Sequence, residues 1–317
     1  MDNLTHSLVG AVLGQMGLKT KTGLAMPTLI VAANIPDIDA ACTVYGQLSL
    51  SMRRGITHGP IALILLPILL WAAMIAFDNW QTRRGKRPAN RLPIHKGWLL
   101  ALAYIGCLSH PALDWLNNYG IRLLEPFSHR WFYGDSIFII DLWIWIALGV
   151  SIWMSFRRER RAVATWQLPA WIGFIFVCGY IFANGLITGA AERMTSRALE
   201  AGGHKDALVV ASPPPLAFWK RDIFWRTADR YGNASFVPGI GGEVDLTGAP
   251  TGMDDPRLAT WVRADPAARA FLFWSRMPVA QKDGEAILLR DQRFMHPLAQ
   301  EQFQVRLAAP DTASYPE

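Results

Sequence analysis

The feature that most constrains this chain is a series of long apolar segments in its first 190 residues. A helix needs about 20 apolar residues to cross a bilayer. Five segments approach that length, at residues 23–41, 61–77, 97–117, 137–156 and 168–190. A shorter apolar stretch, residues 4–18, precedes them and contains three glycines. It either crosses the membrane packed tightly against neighbouring helices or forms a re-entrant helix. The sequence predicts a mainly α, polytopic membrane helix bundle over residues 1–190.

The charge of the chain supports a membrane location. Only 18% of the residues are charged, against about a quarter in soluble proteins. Residues 1–190 hold 16 Lys and Arg against 9 Asp and Glu, whereas the rest of the chain is nearly balanced. The basic residues flank apolar segments and lack the interleaved aromatics of a nucleic-acid surface. We therefore expect the lipid bilayer as a partner and expect no nucleic acid.

The basic residues also predict a topology. They cluster in three connections, around residues 19–21, 83–96 and 157–161, which the positive-inside rule places in the cytoplasm. The alternation of segments then puts residues 42–60, 118–136 and everything after 190 on the outer side. Because Asp2 rather than a basic stretch follows Met1, we do not expect a cleaved signal peptide.

Residues 191–317 have a different composition, with short apolar runs and more Pro and Gly. Alternating β-branched and aromatic residues predict strands at 216–227, 235–238, 270–275, 286–289 and 303–307. Asp283 and Gly284 form a typical hairpin turn. These features predict a C-terminal soluble β-rich domain. The cysteines stand singly along the chain, so neither a disulfide framework nor a zinc ribbon is predicted.

Four short polar groups interrupt the apolar half, at residues 2–6, 34–39, 54–58 and 109–114. Each contains His or Asp, and imidazole nitrogen with carboxylate oxygen is a ligand set for zinc and similar divalent ions. His110 and Asp114 are four residues apart and share one helix face. We also expect Thr57 to cap the helix that begins near Gly59 and so to orient His58.

The predicted topology brings these groups to one depth, although it was derived from Lys and Arg alone. Six residues fall at outer helix ends: His6, Asp37, Asp39, His58, His110 and Asp114. Each alone is more typical of a cap, but their coincidence predicts a metal site at the outer face. Asp141 lies at the same level and is either a ligand or a helix cap. His129 and Arg130 lie in the neighbouring outer loop, either as anion-binding groups or within an aromatic belt.

The ordered motifs D-x-x-T-H, N-x-P-D-x-D, R-x-x-T-H and S-H-x-x-x-D cover about residues 1–145. Together they resemble the YdjM-like family of bacterial inner-membrane proteins, described as membrane-bound metal-dependent hydrolases. The resemblance implies an inner-membrane location and a metal site built from the same six residues, and the β-rich region looks like the tail of longer members. Gly59 stands where many members have Ser, so a hydroxyl role there is absent.

Two functions remain open at this point. The first is a metal-dependent hydrolase acting on a phosphorylated lipid or envelope intermediate, with zinc, or else manganese or magnesium, as the cofactor. In it, Asp39 or Asp114 would accept a proton and Arg130 would offset charge on the departing group. The second is a non-enzymatic membrane protein with a structural metal and a partner-binding β domain. A transporter is less favoured because the acids lie at one face rather than at mid-membrane.

Overall fold

The computed structural model of this protein describes residues 1–296 and 301–309, which form two compact units. The first unit comprises Met1–Asp39, Arg54–Thr188 and Ser212–Trp219. The second comprises Ala40–Arg53, Gly189–Ala211 and the described part of the chain from Lys220 onward. The N-terminal half is helical and the C-terminal part contains antiparallel sheets, as predicted.

Seven helices precede the first strand: α1 (Asn3–Gln15), α2 (Ala25–Ala32), α3 (Ser49–Met52), α4 (Pro60–Arg83), α5 (Lys96–Trp115), α6 (Leu142–Arg160) and α7 (Leu168–Ala201). The short α3 belongs to the second unit, and α7 runs from the first unit into the second. Within the described residues, two helices, α4 and α7, are long and apolar enough to cross a membrane. The polytopic arrangement of the other segments stays a prediction.

The segment at residues 23–41 is not one continuous helix, which corrects the sequence-based expectation. Its helix, α2, has 8 residues, and at 1.5 Å per residue it is about 12 Å long, well short of the roughly 30 Å of a bilayer core. Pro36 cannot continue the helix, and the chain turns into a 3-10 segment, Ile35–Leu48. Residues 97–115 and 142–156 of two other predicted segments, by contrast, do lie in continuous helices, α5 and α6.

The short α2 is held between α1 and α5 by two glycines. A side chain at Gly10 would lie 2.7 Å from the Leu29 carbonyl oxygen, and one at Gly106 would lie 2.8 Å from the same oxygen. Both neighbouring helices therefore contact the α2 backbone directly, as small residues allow. Leu29 is fully buried there. This packing brings the chain that follows α2 close to α5, on which two of the six predicted site residues, His110 and Asp114, lie.

The described residues of the second unit contain two sheets and two further helices, α8 (Arg257–Ala264) and α9 (Pro266–Trp274). The first sheet has the order β1-β2-β3-β4, with β5 also pairing with β3: β1 (Leu208–Ser212), β2 (Arg221–Arg226), β3 (Arg230–Val237), β4 (Gly241–Val244) and β5 (Ala249–Pro250). The second sheet is antiparallel, with the order β6-β7-β8: β6 (Pro278–Asp283), β7 (Ala286–Asp291) and β8 (Gln304–Leu307). Asp283 pairs with Ala286 across a turn in which Gly284 has a φ of +62°, which confirms the predicted hairpin.

The strand predicted at residues 270–275 is wrong, because these residues lie in or directly after α9. Asp265 caps this helix by accepting hydrogen bonds from the backbone amides of Ala267 and Ala268. Phe271 and Trp274, three residues apart, are both buried on one helix face. In so short an apolar run, helical and strand spacing are hard to tell apart from the residues alone.

Candidate metal centre

Four buried side chains from three parts of the first unit meet at one point. Asp37 comes from the 3-10 segment after α2, and His58 ends a 3-10 turn, Ile56–His58, just before α4. His110 and Asp114 lie on one face of α5. One ligand atom from each of the four residues lies within 4.8 Å of the other three. This group could hold a metal ion.

Five of the six separations between the four ligand atoms are close to those of a tetrahedral site. His58 Nε2 lies 3.1 Å from His110 Nε2, 3.8 Å from Asp37 Oδ1 and 3.6 Å from Asp114 Oδ2. His110 Nε2 lies 3.6 Å from Asp37 Oδ1 and 3.5 Å from Asp114 Oδ2. Ligands at about 2.1 Å from a tetrahedral zinc ion are about 3.4 Å apart. The group therefore has the size of a zinc site.

The hydrogen bond of His110 to the backbone fixes which ring nitrogen can bind a cation. Its Nδ1 lies 2.7 Å from the carbonyl oxygen of Ala33, the residue that ends α2. A carbonyl oxygen only accepts hydrogen bonds, so Nδ1 carries the proton. In the neutral ring, Nε2 then presents a lone pair to the four-residue group. The bond also satisfies one of the carbonyls that a helix C-terminus leaves unpaired.

A second set of hydrogen bonds orients His58 in the same way. The Thr57 hydroxyl donates to Asp39 Oδ2 over 2.7 Å, and its oxygen accepts from His58 Nδ1 over 2.9 Å. Burial lowers the pKa of His58 to about 4, so the ring is neutral at pH 7 and Nε2 presents a lone pair. The expectation that Thr57 caps α4 is wrong, since the cap position, Gly59, has no side-chain hydrogen bond.

The electrostatics of the group favour a bound cation. Two histidine lone pairs face each other across 3.1 Å. Two carboxylate oxygens, Asp37 Oδ1 and Asp114 Oδ2, complete the group, and neither is hydrogen-bonded among residues 1–296 and 301–309, although Arg54 Nε lies 3.1 Å from the latter. Four electron-pair donors without a proton between them repel one another in a buried site, and a shared cation removes that repulsion.

Asp39, predicted as a ligand and as a proton acceptor, lies beside the other ring nitrogen of His58. Its Oδ2 is 3.5 Å from His58 Nδ1 and accepts hydrogen bonds from the Arg54 amide and the Thr57 hydroxyl. Its Oδ1 is buried and has no hydrogen-bond partner among the described residues. Asp39 therefore orients the His58 ring from outside the four-atom group, which is what carboxylates near metal-binding histidines commonly do.

His6, also predicted as a ligand, lies against the group without being one of its four members. Its ring stacks on that of His110, with centroids 3.8 Å apart, and its Nε2 lies 3.4 Å from Asp114 Oδ1. The same oxygen of Asp114 accepts from the terminal amine of Met1. Both ring nitrogens of His6 are buried, and neither has a hydrogen-bond partner in the part of the chain that the structure describes. The structure thus brings all six predicted residues close together. Four of them form the possible metal-binding group, and His6 and Asp39 contact that group from outside.

Arg54 is the residue that the sequence analysis missed. Its guanidinium donates to Asp114 Oδ1 over 3.1 Å and to Asn117 Oδ1 over 3.1 Å, and its amide donates to Asp39 Oδ2 over 2.8 Å. The side chain is only 4% exposed, and it lies over the Tyr119 ring. Arg54 therefore links two of the carboxylates. Its place at the start of R-x-x-T-H was the only signal in the sequence.

Arg130 and His129 are exposed in the loop after α5, and the Arg130 guanidinium lies over the Phe132 ring. His129 pairs with Glu125 over 3.0 Å. Asp141 acts as the N-cap of α6, accepting from the amides of Trp143 and Ile144, and also accepts from the Tyr180 hydroxyl. Of the two roles considered for Asp141, these contacts are those of a cap.

Searches of curated proteins and of solved structures found no match for this chain. The comparison with family models did find one. The model of the YdjM inner membrane protein matches residues 1–190. The matched region contains all six predicted site residues, the whole of α4 and most of the apolar part of α7. That match covers more than half of the chain and confirms the resemblance drawn from the motifs: the chain belongs to the YdjM inner membrane protein family.

Proposed function

We propose that this protein is a membrane-bound metal-dependent hydrolase whose ion is held by Asp37, His58, His110 and Asp114. The observation that carries the proposal is the convergence of two imidazole lone pairs and two carboxylate oxygens at tetrahedral spacing. Two nitrogen and two oxygen donors suit zinc best, whereas magnesium prefers six oxygens. Manganese is the next candidate because it also accepts imidazole and carboxylate ligands.

A bound divalent ion supplies Lewis acidity, which polarises an ester or phosphoester oxygen. The chain's own residues supply a base that accepts a proton from the attacking water and a cation that offsets negative charge on the departing group. Asp39 Oδ1 is the proposed acceptor, because Oδ2 is engaged by two donors while Oδ1 has none. Asp114 is the less suitable acceptor because Arg54 pairs with it. Arg130, in its exposed loop, is the proposed cation for the departing group.

The proposed substrate is a phosphorylated lipid or envelope intermediate. Exposed apolar residues alternate with the site residues along the chain: Ile38, 55% exposed, lies between Asp37 and Asp39, and Ile56, 67% exposed, lies two residues before His58. In a member of an inner-membrane family, such side chains suit contact with lipid. A substrate that brings its own apolar part would bury them on binding.

The test combines metal analysis with a hydrolysis assay on purified full-length protein. We expect about one divalent ion per chain and metal-dependent release of phosphate or headgroup from a lipid extract. Asp37→Ala should lose both the ion and the activity, whereas Asp39→Asn should bind the ion about 10- to 100-fold more weakly and remain inactive even when the site is saturated with metal. No chelator-sensitive product from phosphodiester, phosphomonoester and carboxylester lipids would contradict the proposal.

One observation favours a second function, a structural metal in a non-enzymatic protein with a partner-binding β region. Four protein donors are the number found in closed zinc sites. Against it, structural sites are mostly built from cysteine, and this group has none. Cobalt substitution separates the two: azide or phosphate should change the visible spectrum of an open site and leave that of a closed site unchanged.

We propose further that the C-terminal β region is periplasmic, on the charge bias of the loops. A reporter fused after Glu317 should then behave as periplasmic and one fused near Arg87 as cytoplasmic. A cytoplasmic C-terminus would contradict this topology. The metal site itself would remain, because its geometry does not depend on which side it faces.

A further inference from the structure

A second site candidate lies at the basic end of α6, and neither the metal site nor the proposed hydrolase uses it. The last turns of this helix line a cavity of about 460 Å³ together with two aromatic rings: Trp153, Phe156, Arg157, Arg160 and Arg161. Its volume falls within the range typical of ligand sites. We propose that this cavity binds an anionic phospholipid, with the headgroup on the three arginines and an acyl chain along α6.

The positive charge of the cavity favours binding of an anion. None of the three arginines lies within ion-pair distance of a carboxylate in the described part of the chain. The one acid in this turn, Glu159, pairs instead with Lys19. Arg157 lies over the Trp153 ring, 5.4 Å from its centroid. Three guanidinium groups in one turn repel one another, and a shared phosphate relieves that repulsion with hydrogen bonds that match the planar guanidinium.

The apolar wall of the cavity favours a ligand that has a hydrocarbon part as well as an anionic group. Trp153 is 58% exposed, and the neighbouring face of α6 also presents Ile146 and Val150 to the exterior. A large exposed apolar surface beside a cationic cluster fits an amphiphile, with an anionic end for the arginines and a hydrocarbon chain for the helix face. A soluble phosphate would satisfy only the arginines.

The position of the cavity along α6 fits a lipid headgroup. α7 is one of the two helices able to cross a membrane, and it begins at Leu168. The end of α6 lies beside that start, because the Ser155 hydroxyl donates to the Trp166 carbonyl and a side chain at Gly173 would strike Ser151. The end of a membrane-spanning helix lies at the headgroup level, where basic residues bind anionic lipids. The arginines are therefore at the depth of phosphates.

The experiment is native mass spectrometry of the full-length protein in detergent, with phosphatidylglycerol and phosphatidylcholine of matched chains. We expect at least about a tenfold preference for phosphatidylglycerol, since each basic residue near a membrane surface contributes to anionic lipid binding. The triple variant Arg157→Gln/Arg160→Gln/Arg161→Gln should abolish the preference. The charge-conserving triple to Lys should retain part of it, because the charge stays while the planar guanidinium is lost, and this also shows that the end of α6 tolerates substitution.

A matched control removes the same charge from the end of another helix. Arg83→Gln/Arg84→Gln/Lys86→Gln should leave the preference unchanged, because these residues do not line the cavity. An equal loss in both triple variants would overturn the proposal in favour of general charge attraction. Displacement of the lipid by glycerol phosphate at equal concentration would overturn it in favour of a soluble anion. Neither readout involves the metal or hydrolysis.

Discussion

Both units of this protein bury ionised side chains, and they do so in opposite ways. In the second unit, Asp291 is fully buried, and each of its oxygens is hydrogen-bonded: Oδ1 accepts from Arg293, and Oδ2 accepts from Ser275, Arg276 and Arg293. In the first unit, Asp37 Oδ1 accepts no hydrogen bond from the described residues, and Asp114 Oδ2 faces the lone pairs of His58 and His110, although Arg54 Nε lies 3.1 Å from it.

The difference separates a structural ion pair from a candidate functional site. A buried carboxylate with a bound guanidinium and a full set of donors is electrostatically complete, so it needs nothing further. The group in the first unit has more buried acceptors than donors, because Arg54 reaches only Asp114 of its four members, and an added cation can complete it. Burial of charge is therefore common to both units, and the balance of donors and acceptors distinguishes them.

The largest expected effect is on metal retention when a ligand is removed from the first unit. Asp37→Asn should weaken metal binding by more than about 100-fold, beyond the loss typical of outer-shell partners. The protein should still insert into the membrane, because the apolar helices do not depend on this side chain. Metal content of the purified variant and its membrane fractionation are the measurements. Normal metal content in Asp37→Asn would show that Asp37 is not a metal ligand and that, like Asp291, it has only a structural role.

The matched change in the second unit should lower stability and leave metal binding unchanged. Asp291→Asn leaves the buried Arg293 without its carboxylate, which should destabilise this unit by about 3 kcal/mol. Metal content should stay at the wild-type level. Hydrogen exchange followed by mass spectrometry should show loss of protection in β6 and β7 and unchanged protection in α5. Loss of metal in this variant would break the comparison between the two units.

A smaller effect is expected from the arginine that bridges two carboxylates. Arg54→Lys keeps the charge but loses the paired contacts with Asp114 and Asn117, so metal affinity should fall about 10- to 100-fold. Arg130→Lys is the control, because Arg130 is exposed and contacts Phe132, and it should leave metal affinity unchanged. Competition with a chromogenic chelator measures both. Equal affinities for the two variants would assign Arg54 to folding alone.

The smallest effect is expected at Thr57, whose hydroxyl joins Asp39 to His58. Thr57→Val removes this link and should weaken metal binding by about tenfold, whereas Thr57→Ser keeps the hydroxyl and should bind as the wild type does. The same chelator competition distinguishes them. If both variants weaken binding equally, the methyl group rather than the hydroxyl orients the His58 ring.

Much of the fold could be predicted because it depends on local pattern. Apolar length predicts α4, α5, α6 and α7, and alternation with turn residues predicts the hairpin at Asp283 and Gly284. Residues 23–41 and 270–275 could not be assigned from pattern. The first contains only the short α2, because the chain turns into a 3-10 segment around Pro36, and the second is helical because a cap and a buried face favour α9.

By itself, the sequence determined which side chains are available for a metal site and which family the chain belongs to, because ordered motifs are properties of the chain. It also determined that His110 and Asp114 share a face, since helical spacing is local. Only the tertiary structure decided how the six predicted residues divide. Asp37, His58, His110 and Asp114 form the four-donor group, Asp39 turns to the far nitrogen of His58, and Arg54 joins them. These contacts link residues distant in the chain, and their distances depend on how the helices pack.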